Sequence, residues 1–138
     1  MTITNSEFAN QILFFVQNQL GKIFFFNHIA VVELDEGVHF SLDNANLITD
    51  ELTKYFGKKP FGVVANRINS YSVDLLDTPR YKEKVEYLKA YGVVGHNPAA
   101  KMNAEIENGF CKASKVDFDS LNEAVYQVYN KVKSHIFY

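Results

Sequence analysis

Apolar residues recur at helical spacing in four stretches of the 138-residue chain. Ala45, Ile48, Leu52 and Tyr55 share one face of a helix that opens near Ser41 or Asp43. Tyr81, Val85 and Leu88 repeat the pattern after Pro79, and Met102 with Ile106 repeats it after Pro98. The clearest stripe is the last: Leu121, Ala124 or Val125, Val128 and Val132, introduced by the capping box Ser120-x-x-Glu123. Thr78 before Pro79 and Asn97 before Pro98 suit helix starts, because the first-turn N–H groups have no intrahelical partner to lose. Gly57, Gly92 and Gly109 each stand just past a helical pattern, where a residue with positive φ often ends the helix.

Between these stripes lie shorter apolar runs that read as strands. "KIFFF" and "IAVVEL" flank Asn27-His28, a tight hairpin turn. "FGVVA", just after Pro60, and "YGVVG" are continuous, as strands covered on both faces tend to be. The lysine-bearing "CKASKV" suits a protected edge strand. The expected order is β-β-α-β-α-β-α-β-α, a single α/β domain over 1–138 with a mostly parallel sheet and an antiparallel N-terminal hairpin. Residues 1–20 stay open: Phe8, Ile12, Phe15 and Gln19 fit a helix, whereas "QILFFVQ" fits one more strand.

Composition narrows the class. Apolar residues at 47% and charged residues at 22% describe a globular chain with enough apolar surface for a core. A net charge of −2 gives phosphates no basic face, which argues against nucleic acid as a partner. The runs "ILFFV" and "IFFF" are too short to cross a bilayer, and the opening "MTITNSEFANQ" lacks a basic n-region. The single cysteine, Cys111, fits a reducing compartment, so a cytoplasmic location is expected.

In an open α/β sheet, ligands meet the carboxyl ends of the strands. That rule selects His39 after the second strand and Asn66, Arg67, Asn69, Ser70, Tyr71 and Ser72 after the third. It also selects His96 after the fourth, and Asp117 and Asp119 after the fifth. Arg67 offers a planar donor fork for a carboxylate or phosphate, and Tyr71 a surface for stacking. On an accessible rim, Arg67→Ala is expected to leave the melting temperature nearly unchanged. Asn and Ser in such loops also bond their own backbone, and a lone histidine is more often a surface residue than a ligand. The aromatic run at 24–26 is strand core, with a homodimer contact or a greasy ligand surface as its other uses. The chain has no G-x-G-x-x-G, Walker loop, G-x-S-x-G or H-E-x-x-H, so no cofactor is implied and no catalytic set is assigned.

The strings "HIAVVELDEGVHFS", "KPFGVVANRINSYSVD" and "KMNAEIENGF" resemble the SpoIIAA-like group of the STAS superfamily, and in particular small bacterial proteins of that group. "NRINSYSVD" is the most specific of them, and the likeness extends from about residue 21 to 133. The resemblance implies successive βα units with an extra hairpin strand. It also implies regulatory or ligand-sensing relatives, some akin to CRAL-TRIO lipid carriers. Anti-sigma-factor antagonists of the superfamily carry a phosphorylated serine in an Asp-Ser-Ser-Gly-like motif. The corresponding loop here reads Asn69-Ser70-Tyr71-Ser72 and lacks that motif, so the likeness carries no phosphorylated serine over. The expected function is a non-enzymatic regulatory module that binds a protein partner or small ligand through the loop after the third strand. The alternative is a carrier or sensor of a small apolar or lipid-like ligand.

Overall fold

The structure is a computed structural model and describes residues 1–41, 43–69, 72–73, 87–95 and 117–136. Eight strands are described: β1 (Phe14–Asn18), β2 (Gly21–Phe25), β3 (Ile29–Leu34), β4 (His39–Phe40), β5 (Phe61–Arg67), β6 (Ser72–Val73), β7 (Leu88–Gly95) and β8 (Asp117–Phe118). Two helices, α1 (Asn46–Phe56) and α2 (Leu121–Ile136), and two short 3-10 turns (Ile3–Asn5, Ala9–Gln11) complete the described elements.

Six strands form one mixed sheet in the order β1-β2-β3-β5-β7-β8, and β4 with β6 forms a separate parallel pair. The first three strands are an antiparallel meander; β3, β5, β7 and β8 run parallel. The coarse α/β class read from the sequence is therefore present, with its antiparallel N-terminal edge. Among the described strands neighbours follow chain order throughout the large sheet, so they form no deep crevice of a reversed strand order.

Side-chain alternation divides the core in two. On one face Ile23, Phe25, Val32, Phe61 and Val63 meet Ile48, Leu52 and Phe56 of α1. On the other, Val31, Val64, Ala90 and Val94 meet Leu121, Ala124, Val125, Val128 and Val132 of α2, together with Ile3 and Phe8. Coverage on both faces is why every residue of β3 and β5 is buried and why these strands read as continuous apolar runs. Phe25 lies 4.3 Å from Tyr55 and 5.8 Å from Phe56, and Phe56 stacks on Phe61 at 4.5 Å, so aromatic contacts knit α1 to its face. Glycines let α2 come close. A Cβ on Gly62 would overlap Val128 Cγ1 and lie 2.9 Å from Val132 Cγ2, and one on Gly92 would lie 2.9 Å from Val128 Cγ2.

Several boundaries differ from the sequence reading. The segment before Gly21 resolves into two 3-10 turns and strand β1, not a helix. Gly92 sits inside β7 instead of closing a helix, and Leu88 opens that strand instead of lining a helical face. Asp117 belongs to β8 instead of the loop beyond it. β5 runs through Asn66 and Arg67, two residues past the apolar run. Three expectations hold. Gly57 ends α1 with φ +61°, Phe26 N–H donates to Ile29 O across the Asn27-His28 turn, and Ser120 Oγ accepts from Glu123 N–H at 3.1 Å. The helices expected after Pro79 and Pro98 and the strand at 111–116 lie outside the described residues.

Candidate functional site

At the carboxyl ends of the parallel strands, the expected rim is divided by the pleat of β5. Asn66 shares the α2 face with Val64, and Arg67 shares the α1 face with Ala65. Both are buried, at 0% and 3% exposure, so these two do not stand together on an accessible lip. The reason lies in a polar network. Glu33 of β3 is itself buried, and its Oε2 accepts from Asn66 Nδ2 and from Ile3 N–H, each at 2.7 Å. Asn66 Nδ2 also donates to Met1 O at 2.9 Å. The N-terminal segment is thus tied across this end of the sheet, with its Ile3 side chain fully buried.

The other expected rim residues separate further. Asn69 is half-buried and spends its Nδ2 on Leu34 O at 3.0 Å, a bond that ties the loop to the end of β3. His39 is exposed in β4, where it stands in register with Ser72 of β6, and its carbonyl accepts from Asn44 Nδ2 at 2.8 Å. Ser70, Tyr71, His96 and the Ser72 side chain lie outside the described residues. Among the described residues, no group of three or more His, Cys, Asp or Glu converges as a metal site would require.

A cleft opens instead at the amino end of the parallel strands, on the α2 face. Its volume is about 440 Å³. Three segments distant in sequence build it: Phe8, Gln11 and Leu13 from the N-terminal segment, Phe26 to Ile29 from the β2–β3 turn, and Val125, Tyr126 and Tyr129 from α2. Phe8, Phe26, Ile29 and Val125 are buried and supply an apolar floor. Above them Phe8 meets Tyr126 edge-on at 5.7 Å, the His28 ring lies 5.9 Å from Tyr129, and Lys133 Nζ lies 5.4 Å from the Tyr129 ring centroid. Gln11, Asn27, His28, Tyr126 and Tyr129 add amide, imidazole and hydroxyl chemistry to the lining.

Of these residues the sequence reading offered only Phe26, within the aromatic run at 24–26, as part of a greasy ligand surface. Phe8, His28 and Tyr126 are brought together only by the meander and by the docking of α2, and no spacing in the chain announces that meeting. Comparison with protein-family models, with curated proteins and with solved structures finds no match to this chain. Among the described residues no helix is long and apolar enough to cross a membrane.

Proposed function

We propose that this chain is a non-enzymatic binding module that holds a small amphipathic ligand in the cleft between the N-terminal segment, the β2–β3 turn and α2. The observation that carries the reading is an open cleft of about 440 Å³ whose lining combines buried apolar residues with Gln11, Asn27, His28, Tyr126 and Tyr129. That size and lining match small-molecule sites, in which buried apolar surface gives affinity and a few polar groups fix orientation. A planar or aliphatic body against Phe8, Phe26 and Tyr126, with one polar head toward His28 and Gln11, is the chemistry that fits.

This favours the carrier-or-sensor reading over recognition through the loop after β5, since the burial of Asn66 and Arg67 withdraws two of that loop's main groups. A SpoIIAA-like kinship is part of the same proposal. It is supported by "NRINSYSVD" and by a mixed sheet whose antiparallel meander leads into successive parallel strands. Mass spectrometry of the protein under native conditions, followed by solvent extraction, tests the binding reading. A co-purifying apolar molecule that is lost in His28→Ala and Tyr126→Glu is the expected result. No bound molecule, together with no chemical-shift response of cleft residues to a set of small amphipathic probes, would refute it.

A further inference from the structure

We propose that β1 is a self-association edge, through which two copies of this chain pair antiparallel about a two-fold axis and join their sheets. β1 is the terminal strand of the six-stranded sheet, and among the described residues no strand pairs with its outer side. An open edge presents backbone donors and acceptors to any extended chain, so sheets ordinarily guard it with lysine, proline or a bulge. β1 reads Phe14-Phe15-Val16-Gln17-Asn18 and has none of these. It pairs with β2 without a register shift.

The exposed apolar side chains gather at the same edge. Leu13, Phe14 and Phe15 are 57%, 52% and 55% exposed, and Tyr55 of α1, stacked on Phe14 at 6.1 Å, is 37% exposed. At about 150–250 Å² for a fully exposed aromatic side chain, these exposures leave roughly 300–500 Å² per copy. Two copies together would bury about 600–1,000 Å², the size of a weak self-association at the lower bound for a specific interface.

Self-pairing suits the strip better than a foreign peptide because the strand complements itself. In the two-fold register that sets Phe15 opposite its symmetry mate, Phe14 faces Val16 of the second copy and Leu13 faces Gln17. Cross-strand pairs are then apolar at the centre, and no like charges meet. A two-fold axis also closes the assembly, because it uses the open edge of each copy once. The pairing does not rest on the ligand-binding reading, although the strip and the cleft wall share Leu13.

Sedimentation equilibrium across the micromolar range tests the inference, with Phe15→Lys and Gln17→Lys as variants. The wild-type chain is expected at twice the chain mass; Phe15→Lys sets like charges opposite one another and Gln17→Lys sets a charge against Leu13 of the second copy, and each is expected to weaken dimerisation about tenfold or more with an unchanged far-ultraviolet spectrum. Gln17 is exposed, so its variant keeps the test valid if Phe15→Lys folds poorly. A monomeric wild type, a dimer indifferent to Gln17→Lys, or an open-ended series of larger species would each overturn the proposal.

Discussion

Replacing Asn66 by alanine probes the junction where the N-terminal segment meets the sheet. The side chain is fully buried, and its Nδ2 donates to Glu33 Oε2 at 2.7 Å and to Met1 O at 2.9 Å. A hydrogen bond to a charged acceptor contributes about 1.5–3 kcal/mol and a neutral one about 0.5–1.5 kcal/mol. Glu33 keeps its bond from Ile3 N–H at 2.7 Å, so the carboxylate is not orphaned, and a loss of about 3 kcal/mol is expected. Unfolding entropy near 2.1 cal/mol/K per residue over 138 residues converts that loss to a fall in Tm of about 10 °C. Thermal and urea denaturation followed by circular dichroism measure it, and hydrogen exchange at the Ile3 amide reads the local consequence. Exchange there should accelerate more than at β5. A fall in Tm below about 3 °C, or an Ile3 amide as protected as before, would refute the claim that Asn66 holds the segment in place.

Other positions give sharper contrasts. Gly62→Ala drives a methyl into Val128 and Val132, so α2 must shift, and a loss of about 1–3 kcal/mol in urea denaturation is expected; a neutral result would mean the helix repositions freely. Ser120→Ala removes the acceptor for Glu123 N–H and should cost about 1 kcal/mol, with helix fraying visible in exchange at the start of α2. Arg67→Ala separates the two readings of that residue. An exposed rim arginine would leave Tm unchanged, whereas its burial within β5 predicts a loss of about 2–4 kcal/mol by thermal denaturation.

The periodic elements were legible in the sequence because their physics is local. The α2 stripe from Leu121 to Val132 and its serine cap depend on nothing beyond the helix, and Gly57 carries its own conformational signature at φ +61°. The misread positions are those where a distant partner decides. Asn66 looks like loop chemistry, yet Glu33 and the N-terminal backbone satisfy it inside a strand. Gly92 resembles a helix stop, but the approach of Val128 explains why no side chain occupies that point in β7. "LFFVQ" alternates for neither period, since Phe14 and Phe15 are half-exposed on opposite faces of an edge strand and no single buried face orders the pattern. The aromatics at 24–26 are core as expected, so the exposed aromatic surface lies one strand further out.

The displacement of the candidate site from one end of the sheet to the other follows from a single segment. Residues Met1 and Ile3 lie against the carboxyl end, where their backbone occupies the hydrogen-bonding capacity of Asn66 and Glu33 that a ligand would otherwise use. The chain then runs back along the α2 face, so that Phe8, Gln11 and Leu13 arrive at the amino end and become a wall of the cleft. The rule that ligands meet strand carboxyl ends draws its force from loops that splay apart at a reversal of strand order. Among the described residues strand neighbours follow chain order and the N-terminal segment engages Glu33 and Asn66 at the ends of β3 and β5, so there the rule loses its crevice and two of its polar groups. The cleft lies where the N-terminal segment, the meander turn and α2 meet without closing on one another. A recognition site built this way depends on tertiary docking rather than on a loop motif, which is why its residues come from three separated stretches of the chain.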